Sequence, residues 1–402
     1  MLNISKRVKE IEYSPHRKLV ALVDELRRQG RDVYNYSAGQ PGLPPAKEAI
    51  EKFFEEFRRN PFNYSRYVPT KGLFELREAI SEDLKKYGGI DVDAENILIT
   101  TGGVEAVFLA LNVVGDPGDK ILVPDPSYSV YWGLLKYLGL KPITCPQTVE
   151  KGFQPSEECI ERAFNEGIKA VLLASPDNPT SRVIDERIAK LLVDLAVEKN
   201  VWIIYDEAYK HIVYEGEHVW IQKFPGASEV VISVNSFSKD IAIPGFRLGY
   251  LYGPKEVVFQ AMKLKGYLSI TSPVPSQLFA LVALRNGIKD KYLKEVMPIY
   301  RSRRDAAYEA FRKYLPEAKI WKPNASMYLF PDMSSYLEKL KMDDIAFTYK
   351  LAENKAVVML PGSIFGNEGK NHLRVTFVTQ EEKRLVRGIE LLSEFVEELE
   401  RK

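Results

Sequence analysis

The sequence predicts an α/β protein: a large domain built on a mostly parallel sheet covered by helices, with a smaller α+β domain after it. Three observations predict this. Short apolar runs recur through the middle of the 402-residue chain, at Ile97–Thr100, Lys120–Val123, Ala170–Ala174, Val201–Tyr205 and Val230–Val234. They are rich in β-branched residues and apolar on both faces, as buried parallel strands are. Amphipathic helical patterns separate them, and strand alternating with helix means a sheet covered on both sides. From about residue 286 onward, charged helical patterns take over.

Taken in order, residues 10–30 read as one helix carrying Leu19, Leu22, Val23 and Leu26, followed by an extended stretch into Gly39-Gln40-Pro41-Gly42. Between the third and fourth runs, Ile188, Leu191, Leu192 and Leu195 form one stripe of a helix within Asp185–Lys199. The chain closes on a helix whose seam is Leu385, Ile389, Leu392, Val396 and Leu399. This divides the chain into an N-terminal segment 1–45, expected to pack on the small domain, a large domain 46–285 and a small domain 286–402.

Composition narrows the function classes. With 56 basic and 55 acidic residues the formal charge is +1, which argues against nucleic acid as the main partner and leaves no polybasic tail for anionic lipid. No apolar run approaches the roughly 18 residues of a membrane span. Charges at Lys6, Arg7 and Lys9 stand where a signal peptide needs its apolar stretch. Cys145 and Cys159 are too few for a disulfide framework or a CxxC metal site. The expectation is a soluble, cytoplasmic enzyme.

Ligands of an open parallel sheet bind beyond the carboxyl ends of its strands, so the residues that follow each run carry the functional information. Thr101-Gly102-Gly103-Val104 follows the first, at a helix start where two glycines let a phosphate approach backbone N–H groups. Alone, the pair reads as a tight turn. Ser175-Pro176-Asp177-Asn178-Pro179-Thr180 likewise reads as a turn. Asp206-Glu207-Ala208-Tyr209 puts a carboxylate where burial without a partner is costly, so Asp206 caps a helix or meets a cation. Asn235-Ser236-Phe237-Ser238-Lys239 sets a lysine at a buried strand end, where desolvation lowers its pKa and makes it a Schiff-base nucleophile. Ser236, Ser238 and Arg247 suit a phosphate. Singly, these are a surface lysine and an ion-paired arginine. As a set they match pyridoxal phosphate, whose aldehyde takes a lysine, whose ring nitrogen needs an acid, whose phenolate accepts donors and whose phosphate needs an anion cradle.

Asn178-Pro179, Asp206-x-x-Tyr209, Ser236-Phe237-Ser238-Lys239 and Gly245-x-Arg247-x-Gly249-Tyr250 occur in that order. With them stand Ser37-Ala38-Gly39-Gln40-Pro41, Tyr67–Gly72 with Leu76-Arg77, Asp116–Asp119, Pro124-x-Pro126-x-Tyr128-x-x-Tyr131, Pro361–Gly366 and Leu373-Arg374-Val375. This series resembles the class I aminotransferases, pyridoxal-phosphate enzymes of the aspartate aminotransferase fold (fold type I), over nearly the whole chain.

The resemblance implies a role for each residue. Lys239 holds the cofactor covalently and, once freed, moves the proton at the substrate Cα. Asp206 keeps the ring nitrogen protonated. Asn178 and Tyr209 donate to the phenolate oxygen, and Tyr128 stacks on the ring. The Gly102-Gly103-Val104 turn, through the backbone N–H groups of Gly103 and Val104, holds the phosphate with Ser236, Ser238 and Arg247. Tyr67 reaches the phosphate of the neighbouring subunit, which implies a homodimer. Arg374 clamps the substrate carboxylate, helped by Asn178 and the Gly39 backbone.

The implied reaction moves an α-amino group between an L-amino acid and a 2-oxo acid such as 2-oxoglutarate, by a ping-pong cycle. Aspartate is the first donor to try, with aromatic amino acids, alanine and 2-aminoadipate open. A carbon–sulfur β-lyase of the same fold needs the same Lys239 and Asp206 and also stays open. A non-catalytic pyridoxal-phosphate sensor needs a DNA-binding module, and no extension looks long or basic enough.

Departures from the pattern fall at Ser181, where glycine is usual, at Asn324-Ala325-Ser326-Met327-Tyr328, and at Gly42-Leu43, expected to open the entrance. Arg17 and Lys18, with His16, are expected near that entrance. His16, His211, His218 and His372 show no ligand spacing and no acidic partner cluster, so they read as ordinary residues and no metal site is expected. Arg301-Ser302-Arg303-Arg304 reads as a solvated helix face or a pair partner across domains.

Overall fold

The computed structural model describes residues 4–11 and 15–401; the side chain of His16 lies outside the described residues. Helix α1 (Pro15–Arg28) matches the anticipated apolar face, with Leu19, Val23 and Leu26 buried. These side chains pack with Ala352, Ala356, Val358 and Leu360 from late in the chain. After it, β1 (Tyr34–Asn35) pairs in parallel with Val357–Val358. Residues 19–35 are thereby fastened to the segment beyond residue 350.

The central sheet has seven strands. They are β2 (Ile97–Thr100), β3 (Lys120–Asp125), β4 (Lys141–Pro146), β5 (Ala170–Ala174), β6 (Trp202–Asp206), β7 (Val231–Ser236) and β8 (Gly249–Tyr252). Their spatial order is β2-β8-β7-β6-β5-β3-β4. Only β8 runs against its neighbours, paired antiparallel to β2 and β7. The strands buried on both faces are the apolar runs of the sequence. Strands β4 and β8 give no such run: β4 is a largely exposed edge strand with a proline in its second and last positions, and β8, though buried, opens on a glycine and carries two tyrosines in its four residues. The observed strand ends also shift the chemistry inward, because Asp206 and Ser236 are the last residues of their strands and do not follow them.

Helices α2 (Gly103–Val114), α3 (Ser129–Leu138), α4 (Glu157–Asn165) and α5 (Glu186–Lys199) cover the sheet. The residues of α2 and α3 share one apolar cluster with β3, β5, β6 and β7, and those of α4 and α5 share another with the opposite faces. Cys145 on β4 and Cys159 on α4 are joined in a disulfide, 14 residues apart. Two cysteines make no framework, yet they do make this one link, which ties the exposed edge strand to its covering helix.

Beyond residue 286 come α6 (Ile288–Tyr314), strands β9 (Tyr328–Leu329), β10 (Val357–Val358), β11 (Leu360–Pro361) and β12 (Leu373–Thr376), and α7 (Glu382–Glu400). Strands β11, β12 and β9 form an antiparallel sheet. On α7, Leu385, Ile389, Leu392 and Val396 are buried in one cluster with Tyr292, Val296, Ala307 and Phe311 of α6. The arginine run on α6 is a solvated face only in its first half, where Arg301 and Ser302 are exposed. Arg303 and Arg304 are buried, and Arg304 donates to the Pro323 carbonyl at 2.8 Å and pairs with Glu215 at 2.8 Å. Among the described residues no helix is long and apolar enough to cross a membrane.

Candidate active site

The carboxyl ends of β5, β6 and β7 and the start of α2 face a cavity of about 510 Å³. Into it open Gly39, Gly103, Val104, Tyr128, Asn178, Asp206, Tyr209, Ser236, Ser238, Lys239, Arg247 and Arg374. Residues more than 300 positions apart in sequence are thus brought together. Gly102 lies at its edge, against Arg247. Tyr67 is the exception: its side chain is 76% exposed and does not line this cavity.

Lys239 lies in the short helical turn Phe237–Asp240 that follows β7. Its Nζ donates to the Gly39 carbonyl at 2.6 Å and lies 5.3 Å from the centre of the Tyr209 ring. Burial, reinforced by the positive charges of Arg374 and Arg247, pulls its pKa down to about 7, with Asp206 opposing. Such an amine is about half free base at neutral pH, against almost none for an ordinary lysine, and the free base is the form a lysine nucleophile requires.

Asp206 ends β6 with its carboxylate out of water. Oδ2 accepts the Tyr131 hydroxyl at 2.7 Å and Oδ1 accepts the Ala208 N–H at 3.0 Å. Burial nevertheless raises its pKa to about 6 because two donors do not replace full hydration, and the charges of Glu207 and Asp177 add to the rise. A cation placed against it would relieve that strain in charge.

The anion cradle is a backbone construction. Gly102 adopts φ +84, and a Cβ there would come within 2.5 Å of the Arg247 guanidinium. Gly249 of β8 passes so close that a Cβ would sit 2.5 Å from the Asn235 carbonyl and 2.8 Å from the Gly103 nitrogen. The turn therefore needs glycine on both sides to present the first N–H groups of α2. Ser236 accepts the Ser238 N–H at 3.2 Å, leaving its own O–H free to donate. Arg247, itself at φ 54, is braced on the Pro244 carbonyl at 3.1 Å.

Arg374 of β12 is 2% exposed. It donates to the Ser37 carbonyl at 2.6 Å and to Asn178 Oδ1 at 3.2 Å, and its guanidinium lies 4.4 Å from the Tyr328 ring centre and 5.3 Å from that of Phe365. Its Nε has no partner. Because Asn178 Oδ1 faces the arginine, the amide NH₂ is left to donate elsewhere. Gly39 is required here, since a Cβ would lie 3.0 Å from the Tyr328 hydroxyl.

Several functional neighbours escaped sequence reasoning. Tyr131, the donor to Asp206, stood in a recognised motif without a role. Tyr328 bonds the Tyr209 hydroxyl at 2.7 Å. Ser181, the residue replacing a glycine, takes the left-handed φ of 60 itself and accepts the Tyr328 N–H through its hydroxyl at 3.1 Å. Gly42 does not open the entrance: it packs where a Cβ would meet the Val378 carbonyl, and Gln40 lines the cavity instead. Nor do Arg17 and Lys18 face it; α1 contributes Val20, Val23, Asp24 and Arg27.

Two histidines have acidic neighbours that sequence spacing does not show. His218 bonds fully buried Glu207 at 3.1 Å, and His211 lies 3.5 Å from Asp83 and 3.8 Å from Asp240. These partners come from other elements and have no sequence spacing to betray them. Glu207, next to Asp206, also accepts Asn235 Nδ2 at 3.1 Å and the Tyr252 hydroxyl at 3.0 Å, cross-linking the ends of β6, β7 and β8.

A buried amine, a buried carboxylate, a glycine-lined helix start and a buried arginine meet in one cavity, an arrangement suited to an enzyme acting on small charged molecules. The chain belongs to the "Aminotransferase class I and II" family, whose model matches residues 31–389. It is 33% identical over 399 residues to the "Probable aspartate/prephenate aminotransferase" of Aquifex aeolicus, covering 98% of this chain and 99% of that one. It is 31% identical over 395 residues to the "(5-formylfuran-3-yl)methyl phosphate transaminase" of Methanocaldococcus jannaschii, covering 98% and 99%. The aspartate aminotransferase of Thermus thermophilus, solved with maleate, superposes with a TM-score of 0.90 at 30% identity, over 98% of this chain and 100% of that chain. The protein is an aminotransferase of the aspartate aminotransferase fold.

Proposed function

We propose that this aminotransferase works with pyridoxal phosphate held at Lys239, transferring the α-amino group of an L-amino acid, aspartate first, to a 2-oxo acid such as 2-oxoglutarate in a ping-pong cycle. The observation that carries the reading is the meeting of Lys239, with its pKa near 7, with Asp206, Asn178 and Arg374 in one cavity. The cofactor fits the residues present: the glycine-lined turn matches its phosphate, and Asp206 matches its ring cation. When bound, it supplies an electron sink for the pair left at Cα as that carbon loses its proton.

The chain's own residues do the rest. Gly102, Gly103, Val104, Ser236, Ser238 and Arg247 hold the phosphate, and Tyr128 covers the ring face. Asp206 holds the proton on the ring nitrogen, while Asn178 and Tyr209 donate to the ring oxygen. Arg374 grips the α-carboxylate, with the Asn178 amide and the Gly39 backbone helping, and so fixes Cα for proton removal and return by the Lys239 amine. Tyr67, facing outward, serves the phosphate of a second subunit in a cytoplasmic homodimer. The chain divides into a large cofactor domain 46–285 and a small domain 286–402, on which segment 1–45 rests.

The test is the visible spectrum of the purified protein with pyridoxal phosphate. Addition of a single amino acid is expected to abolish the band of the lysine-bound cofactor, and 2-oxoglutarate to restore it. A band that persists while ammonia is released refutes transfer, and no band at all refutes the role of Lys239.

A further inference from the structure

The first turn of α2 carries a carboxylate, Glu105, directly after Gly103 and Val104. It does not line the active-site cavity, whose wall on this helix is Gly103, Val104 and Val107. Instead its Oε2 accepts the N–H of Thr101, the residue before the two glycines. The same oxygen accepts Lys265 Nζ at 2.8 Å, while Oε1 accepts the Ser269 hydroxyl at 2.8 Å. Lys265 Nζ also donates to Ser269 Oγ at 2.8 Å, which closes a ring of three side chains. Lys265 belongs to the helix Lys255–Leu268, whose Val257, Val258 and Ala261 share an apolar cluster with α2, and its side chain is wholly out of water.

Packing alone gives no reason for this ring. A buried ion pair joins two helices no better than apolar residues of the same volume, because desolvation offsets the attraction. Its place in the fold supplies the reason. A carboxylate in the first turn of a helix takes the positive end of the dipole for itself, and here that end is the one that faces the cavity. Burial pushes the Glu105 pKa up, but Lys265, the Thr101 N–H and the Ser269 hydroxyl outweigh it and hold the group below its ordinary value, so it is charged. Left unpaired, it would repel a phosphate approaching the Gly103 and Val104 N–H groups. Lys265 is the one cation within ion-pair reach of Glu105 among the described residues. The Thr101 bond acts on shape. Gly102, at φ +84, has no side chain to secure it, and the turn is tied on one side by Thr100 Oγ1, which donates to the Gly102 carbonyl at 3.0 Å, and on the other by Glu105.

We propose that Glu105 and Lys265 are positioning residues for the anion cradle: Glu105 fixes the glycine turn through the Thr101 N–H, and Lys265 neutralises Glu105 so that a phosphate meets the full positive end of α2. The inference rests on the assignment of the cofactor phosphate to this turn. With 160 residues between the two side chains, only the fold brings them together.

The test measures the dissociation constants of pyridoxal phosphate and of pyridoxal, which lacks the phosphate, for the full chain freed of cofactor. Lys265→Met is expected to weaken pyridoxal phosphate about ten- to a hundredfold, the effect of one unscreened charge within about a helix turn of the anion, and to leave pyridoxal within about twofold. Glu105→Gln/Lys265→Met removes both charges while the glutamine oxygen still accepts the Thr101 N–H, so pyridoxal phosphate affinity should return to within about threefold of wild type. Glu105→Ala/Lys265→Met also removes the tie and should again weaken pyridoxal phosphate about tenfold, with pyridoxal little changed. Both double variants bury no lone charge, so they keep the test open if Lys265→Met does not fold. Equal losses for the two ligands would make the pair merely structural and overturn the proposal, as would unchanged pyridoxal phosphate affinity in Lys265→Met and in Glu105→Ala/Lys265→Met. A wild-type protein that binds pyridoxal as tightly as pyridoxal phosphate would instead refute the phosphate assignment itself, and this inference with it.

Discussion

Asp206 should make the cofactor-free protein less stable as pH rises, and the size of that effect follows from the structure. Its carboxylate is buried and held by only the Tyr131 hydroxyl and the Ala208 N–H, and its pKa stands at about 6 against an ordinary 3.8. An acid whose pKa is raised by folding contributes its full stability below the unfolded value and loses it as pH climbs through the folded value. A rise of this size corresponds to about 3 kcal/mol. Asp206→Asn is the perturbation, because it keeps the shape and removes the charge. One of the two donors then faces the amide NH₂, a cost of about 1 kcal/mol that does not vary with pH.

The readout is therefore the change in the wild-type-minus-variant difference. In urea unfolding of cofactor-free protein, wild type is expected to lose about 3 kcal/mol relative to the variant between about pH 3 and pH 7.5. Carboxylates stabilised by partners, such as Asp83 beside Lys289 and His211, act in the opposite sense but cancel in the comparison. A difference that stays flat across this range would refute the account of Asp206 as a charge held at a disadvantage until a cation meets it.

Lys239 in the cofactor-free protein should react with an amine-directed reagent along a titration centred near 7, and Arg374→Ala should move that midpoint upward by removing a neighbouring positive charge; a midpoint near 10 would contradict its burial. Gly249→Ala should weaken cofactor binding at least about tenfold, since a Cβ at overlap distance displaces the Gly102–Gly103 turn; equilibrium dialysis with pyridoxal phosphate measures it, and unchanged affinity would separate that turn from the phosphate. Replacing both Cys145 and Cys159 by serine should cost about 3 kcal/mol, the loop-closure value for a link of this span. Thermal unfolding with and without reductant should show the same loss, and an unchanged midpoint would mean that the link contributes nothing.

What the sequence disclosed and what it hid have a common physical cause. The buried strands were legible because a strand covered on both faces must be apolar throughout. Strand β4 was not, because an edge strand carrying Pro142 and Pro146 faces no such demand. The direction of β8 has no signature in four residues. Lys239, Asp206 and Asn178 were legible because strand ends and motifs place them. Tyr131 was not legible as the partner of Asp206, because 75 residues separate the pair and only the fold closes the distance. The acids beside the histidines were hidden for the same reason: His211 and His218 find them on other elements. Ser181 shows a subtler case, where a residue takes a glycine's backbone conformation and adds a hydroxyl contact that no glycine offers.

The Glu207 carboxylate gathers donors from three separate segments directly beneath Asp206, whereas the mouth of the cavity is framed by α1 and the stretch around Gln40. Exchange of a residue in the first group leaves an orphaned partner in the interior, while exchange at the mouth leaves only solvent. Mutations that retune which molecules enter are thus decoupled from those that would disable the reaction. A library confined to the exposed mouth positions Val20, Asp24, Arg27 and Gln40 would explore new donors on an inherited catalytic floor, and most of its members should retain the chemistry.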